Sequence, residues 1–75
     1  MKMSYEDVCE QVMFSDIYQV CEHVLVRTGM TTYHYGNYGG HVLLAVDSTT
    51  VTIVFPSLSD ALLYMNGYDC PAGED

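Results

Sequence analysis

The sequence predicts an α+β domain with the element order α-β-β-β-α, in which helices cover one face of a three-stranded antiparallel meander. Apolar residues recur at helical spacing in residues 5–27, and the period changes to two between residues 31 and 55. The capping-box sequence SLSD, at residues 57–60, then marks the start of a closing helix. With 75 residues, 49% of them hydrophobic and 16% charged, the composition is that of one small globular domain spanning residues 1–75.

The first helix is expected to begin after Ser4, an N-cap residue followed three positions later by Asp7. Its apolar residues form two stripes at helical spacing, and the second stripe is rotated by about a quarter-turn from the first. One straight helix would present two faces, so we expect a kink or short break near residues 14–16, with Ser15 able to cap the second segment. Gly29 supplies the left-handed position that ends this helical region. The two stripes are Tyr5, Val8, Cys9, Val12 and Met13, and then Ile17, Val20, Cys21 and Val24.

Three strands are expected at residues 31–35, 41–47 and 50–55, where β-branched and aromatic residues are enriched and alternate. Residues 36–40, GNYGG, tolerate the positive φ angles of a hairpin turn, and residues 47–49 form a second tight turn. Because these connections are too short for parallel crossovers, the sheet should be antiparallel. In this arrangement Tyr33 and Tyr35 share a face, and Tyr38 lies at the loop tip.

The closing helix is expected to follow Ser57 and to end at Asn66 and Gly67, with residues from about 69 to 75 forming a frayed tail. This element order resembles the topology of the double-stranded RNA-binding domain. Members of that family grip phosphates with a lysine cluster at the start of the last helix. Residues 57–61 carry Asp60 and no lysine, so the RNA-binding activity does not carry over.

The charge is strongly negative, with ten acidic residues against Lys2 and Arg27 and a net charge of −8. This field repels phosphate backbones, so we expect no direct contact with nucleic acid and none with anionic membranes. A basic protein partner would instead be steered towards the chain. Glu6, Asp7 and Glu10 fall within one arc of the first helix, opposite its first apolar stripe. They are candidate partner-binding residues that mimic spaced phosphates, and the alternative is a solvated face that maintains solubility.

The segment YHYGNYGG, at residues 33–40, has two interpretations. It is either a hairpin whose tyrosines pack as cross-strand neighbours or a protein-recognition element. In the second interpretation Tyr33, Tyr35 and Tyr38 bind the partner, because tyrosine is rigid, amphipathic and enriched at interfaces. Base stacking is disfavoured because it needs aromatic residues interleaved with positive charge.

The pattern of cysteines and histidines favours neither a metal centre nor catalysis. Cys9, Cys21 and Cys70 lack CxxC spacing and are expected to be reduced thiols. With Tyr35 placed opposite His41, His34 and His41 point to opposite faces of the sheet, so we expect no metal and no cofactor. The chain has no GxSxG elbow or cysteine-protease signature, which favours a protein that is not an enzyme. It also lacks a signal peptide and an apolar run of about 20 residues, which favours a cytoplasmic protein.

In size, acidity and lack of enzyme motifs, the chain resembles the small inhibitors that phages carry against host defences, such as anti-CRISPR proteins. The resemblance implies a non-catalytic inhibitor that docks on a basic, nucleic-acid-handling protein complex. The alternative is a homo-oligomeric structural or accessory subunit. Helices on one side would leave the other apolar face of the sheet uncovered, and a homodimer would cover it. A small thiol or metal enzyme is the third reading.

Overall fold

A computed structural model describes residues 2–67, which form three helices and four strands. The helices are α1 (Tyr5–Val12), α2 (Ile17–Val20) and α3 (Leu58–Met65). The strands are β1 (Val24–Thr28), β2 (Thr31–Tyr38), β3 (His41–Val46) and β4 (Ile53–Phe55), and they form one antiparallel sheet in the order β1-β2-β3-β4. The α+β class and the antiparallel meander are therefore confirmed, whereas the expected count of three strands is wrong. The predicted frayed tail lies outside the described residues.

The break in the first helical region is confirmed. The Ser4 side chain accepts a hydrogen bond from the Asp7 N–H at 3.2 Å and caps α1, which ends at Val12. Phe14 then adopts a left-handed conformation, with φ +67°. The cap of α2 is Asp16 rather than the predicted Ser15, because the Asp16 carboxylate accepts from the Tyr18 N–H at 2.9 Å.

The predicted continuation of this helix to Gly29 is wrong. Helix α2 is a single turn that ends at Val20, and residues 24–28 form β1, which pairs along β2 from Val24–Tyr35 to Thr28–Thr31. Gly29, with φ +64°, lies in the turn between these strands instead of capping a helix. The sequence VLVRT is rich in β-branched residues, and pairing with a long neighbouring strand outweighs the helical spacing.

The helices lie on both faces of the sheet, which corrects the expectation that they share one face. Val8, Val12 and Ile17 pack with Leu43 and Val54 in one cluster. Side chains alternate along a strand, so residues 42 and 44 face the other way. There they form a second cluster with α3, whose members are Val42, Leu44, Phe55, Ala61 and Met65. Because helices cover both faces of the sheet, no homodimer is needed to cover an apolar sheet face.

The hairpin between β2 and β3 is tighter than predicted. Tyr38 pairs with His41, and only Gly39 and Gly40 form the turn, with φ angles of +60° and +87°. Two consecutive positive φ angles define the turn type that matches strand twist, and glycine adopts them without steric cost. Tyr38 therefore lies at the end of β2 and not at the loop tip.

Strand β4 begins at Ile53, later than the predicted residue 50. The preceding residues bond to the α1–α2 connection instead: the Phe14 N–H donates to Val51 O at 3.0 Å, and the Val51 N–H donates to Ser15 O at 2.9 Å. The closing helix agrees with prediction. Ser57 caps α3 and Asn66 ends it, followed by Gly67 with φ +91°.

Candidate functional site

The three predicted acidic residues of α1 form one exposed surface. Glu6, Asp7 and Glu10 are exposed, while Val8 and Val12 on the opposite side of the helix are buried. At about 100° per residue, the three carboxylates fall within one arc of the helix. Within residues 2–67, no ion pair joins them to Lys2 or Arg27. We call Glu6, Asp7 and Glu10 the acidic surface, and its charge is available to a partner.

Exposed aromatic side chains accompany the acidic surface on the same layer of the molecule. Phe14, directly after α1, is 81% exposed, and Tyr18 in α2 is 61% exposed. Phe14 also occupies a backbone region that costs a bulky residue about 1–2 kcal/mol. Exposed aromatic side chains are enriched at protein-binding surfaces. Phe14 stands out in the sequence only because it falls off both apolar stripes, and nothing in the pattern shows that it is exposed.

Tyr33 and Tyr35 lie on the other side of the sheet from the acidic surface. They pair with Val46 and Leu44, and both pack half-buried against the cluster that contains α3. Their packing as cross-strand neighbours agrees with the structural interpretation of the YHYGNYGG segment. A flat partner surface reaches either the acidic residues or these two tyrosines, but not both.

Tyr38 faces the α1 side and connects the hairpin to that helix. Its hydroxyl donates a hydrogen bond to Gln11 Oε1 at 2.7 Å, and its ring packs against the cluster beneath α1. The Met3 N–H also donates to Gly39 O at 2.9 Å, so two contacts hold the start of the chain and α1 against the hairpin.

Replacing Tyr38 with phenylalanine is expected to lower the free energy of unfolding by about 0.5–1.5 kcal/mol, because it removes one hydrogen bond and keeps the ring. Urea unfolding measures the change. The matched control is Tyr64→Phe, since Tyr64 stacks on Phe55 and its hydroxyl makes no hydrogen bond within the described chain. Equal losses in both variants would mean that the Tyr38–Gln11 bond contributes nothing.

A second group of chemically active side chains lies where α2 crosses β2. His34 is buried under this crossing, and its ring centroid is 4.8 Å from that of His23 and 6.0 Å from that of Tyr18. The centroids of Tyr18 and His23 are 4.3 Å apart.

The prediction that His34 and His41 point to opposite faces of the sheet is wrong. Register pairs His34 with Ala45 and Tyr38 with His41, so both histidines share one face at separate positions along the strands.

Cys21 lies in the same region, and burial raises the pKa of its thiol. A raised pKa lowers the thiolate fraction at neutral pH, whereas an activated nucleophile has a high thiolate fraction.

Alkylation of Cys21 by iodoacetamide at pH 7.5 is therefore expected to be slower in the folded chain than in the denatured chain. Peptide mass spectrometry measures both rates. A folded-state rate equal to the denatured rate would contradict the burial of this thiol.

Residues 18–23, which include Tyr18, Cys21 and His23, line an open depression of about 580 Å³. In the described part of the chain, no cluster of three or more His, Cys, Asp or Glu side chains is arranged to hold a metal ion. Likewise, none of the helices described is long and apolar enough to cross a membrane.

Comparison of the chain with protein-family models, with curated proteins and with solved structures finds no match.

Proposed function

We propose that this protein is a non-catalytic binding module whose acidic surface docks on a basic, nucleic-acid-handling protein or complex and inhibits it. The observation that carries the proposal is that Glu6, Asp7 and Glu10 are exposed together and form no ion pair within the described residues. Carboxylates spaced along one helix face present a row of negative charges, which is the feature that a phosphate-binding protein recognises. Inhibition follows because the docked helix occupies the surface that otherwise binds nucleic acid.

Two further features support a binding role. The exposed rings of Phe14 and Tyr18 add apolar contact area to the acidic layer. The raised pKa of Cys21 disfavours this thiol as a nucleophile. The size and acidity that resemble anti-CRISPR proteins agree with this role.

The test is capture of partners from a lysate of the source or its host on immobilised protein, with washes at low and high salt. The proposal predicts that a basic nucleic-acid-handling protein is retained at low salt and released at high salt, since exposed charges are screened. Mass spectrometry identifies the bound proteins. Recovery of only this protein itself would reject the inhibitor proposal in favour of self-association.

Self-association is the second candidate function, and the exposed edge strand β1 favours it. Val24 is 54% exposed and Leu25 49% exposed, and among residues 2–67 β1 has a partner strand on one side only. Residues 23–46 contain no Asp or Glu, so this edge is where two copies of an acidic chain repel each other least. An unpaired apolar edge is a template for strand pairing between chains.

Sedimentation velocity at tens of micromolar measures whether the protein self-associates, and so distinguishes this candidate from the inhibitor proposal. A dimer that dissociates when Leu25 is replaced by lysine would support a homo-oligomeric accessory subunit. A strictly monomeric wild-type protein would count strongly against it.

A further inference from the structure

The most unusual polar group in the described chain is the imidazole of His34. Its side chain is only 8% exposed, and Nδ1 is fully buried without a hydrogen-bond partner. It is the one buried side-chain nitrogen or oxygen in residues 2–67 left in this condition. An unsatisfied buried polar atom costs about 1–3 kcal/mol, so its retention calls for a compensating interaction.

The fold places a second imidazole against it. His34 lies in the middle of β2, opposite Ala45 and Leu25, on the face that α2 covers. Gly36 allows the chain at Cys21 and Glu22 to pass directly over β2, because a Cβ there would collide with that segment. This close crossing brings His23 onto His34, with the two rings inclined at 50°.

We propose that His23 and His34 together bind a divalent transition-metal ion of the zinc or nickel type. Imidazole nitrogen is a favoured ligand for these metals, whereas magnesium and calcium prefer oxygen. With Zn–N bonds of about 2.0–2.1 Å, two tetrahedral ligand atoms lie roughly 3.3 Å apart. Ring centroids separated by 4.8 Å allow one nitrogen of each ring to reach this spacing.

The surroundings define the type of site. The described residues supply no third His, Cys, Asp or Glu ligand in place, so the protein provides two ligands and the remaining positions take water or a donor from another molecule. His23, one of the two ligands, also lines the open depression formed by residues 18–23, so a donor from another molecule has access from that side. The net charge of −8 raises the local concentration of cations. The site is independent of the acidic surface of α1.

Calorimetric titration of the reduced full chain with ZnCl₂ tests the site, with NMR of the imidazole resonances as the structural readout. The site predicts one zinc per chain, selective shifts of the His23 and His34 signals, and a higher melting temperature with zinc. His23→Gln and His34→Gln should each weaken zinc binding by at least about 10-fold. Loss of a group that only supports a metal ligand already has an effect of this size, and these variants remove a ligand itself. The matched control is His41→Gln, which removes the buried histidine beside Gly39 on the same face and should leave affinity unchanged.

Two results would overturn the proposal: no zinc binding by the wild type, or equal binding by the wild type and the double variant His23→Gln/His34→Gln. The second result would place the ion at other groups, such as the carboxylates or Cys70. If His34→Gln fails to fold, the His23→Gln variant decides, because His23 is only half-buried.

Discussion

Replacing Gly36 with alanine is expected to lower the free energy of unfolding by about 3 kcal/mol, at the upper end of overpacking effects. A Cβ at this buried position would collide with the carbonyl oxygen of Glu22 and lie 2.6 Å from Sγ of Cys21. A backbone carbonyl cannot rotate away as a flexible side chain can. The crossing of residues 21 and 22 over β2 must therefore move, and the contact between His23 and His34 moves with it.

Thermal and urea unfolding measure this effect, and a loss of this size corresponds to a melting-temperature decrease of roughly 15 °C in a small domain. The control is Asn37→Ala at the next position of the same strand, where the side chain is exposed and the change should stay within about 0.5 kcal/mol. Faster alkylation of Cys21 in the Gly36 variant would confirm that the crossing has loosened. A Gly36→Ala protein as stable as the Asn37→Ala protein would contradict the close approach of these segments.

Replacing Glu6, Asp7 and Glu10 together with lysine is expected to weaken binding of the basic partner at least about 10-fold, or 1.4 kcal/mol. Each reversal changes the charge by two units, so the net charge changes from −8 to −2. The dependence of affinity on salt concentration should become shallower at the same time, because fewer attractions between opposite charges remain for salt to screen. Calorimetric titration with the captured partner at several salt concentrations measures both quantities.

The matched control, the tail variant, replaces Asp69, Glu74 and Asp75 near the end of the chain with lysine, which gives the same net charge of −2. This variant should retain most of the affinity if position on α1 matters, and lose as much as the α1 variant if only overall charge matters. Circular dichroism must accompany the α1 variant, because Glu6 and Asp7 lie in the first turn and favour the helix dipole by about 0.3–1 kcal/mol each. Unchanged affinity in a folded α1 variant would eliminate the acidic surface as the binding site.

Local signals in the sequence predicted the elements whose ends are fixed by neighbouring residues. Ser4 and Ser57 each cap a helix through the backbone N–H three residues later, and both caps are visible as short motifs. The glycine-rich residues 36–40 likewise predicted the hairpin between β2 and β3, although Gly39 and Gly40 alone form its turn. The exposure of the acidic surface follows from helical periodicity, because the three acids lie opposite the buried valines of α1.

The features that depend on long-range pairing could not be predicted in this way. Val24 continues the second helical stripe, but residues 24–28 are also rich in β-branched side chains, and pairing with β2 makes them a strand. The side of the sheet on which α3 lies depends on register, since a shift of one residue exchanges the two faces. The contact between His23 and His34 has no sequence signature, because it results from a crossing that Gly36 permits.

Competition with nucleic acid tests the central claim most directly. A labelled nucleic acid bound to the captured basic partner is titrated with this protein, with its α1 lysine variant and with the tail variant. The proposal predicts that the wild-type and tail-variant proteins displace the nucleic acid, while the α1 variant does not. A stable ternary complex of partner, nucleic acid and wild-type protein would contradict the claim that the acidic surface occupies the nucleic-acid site.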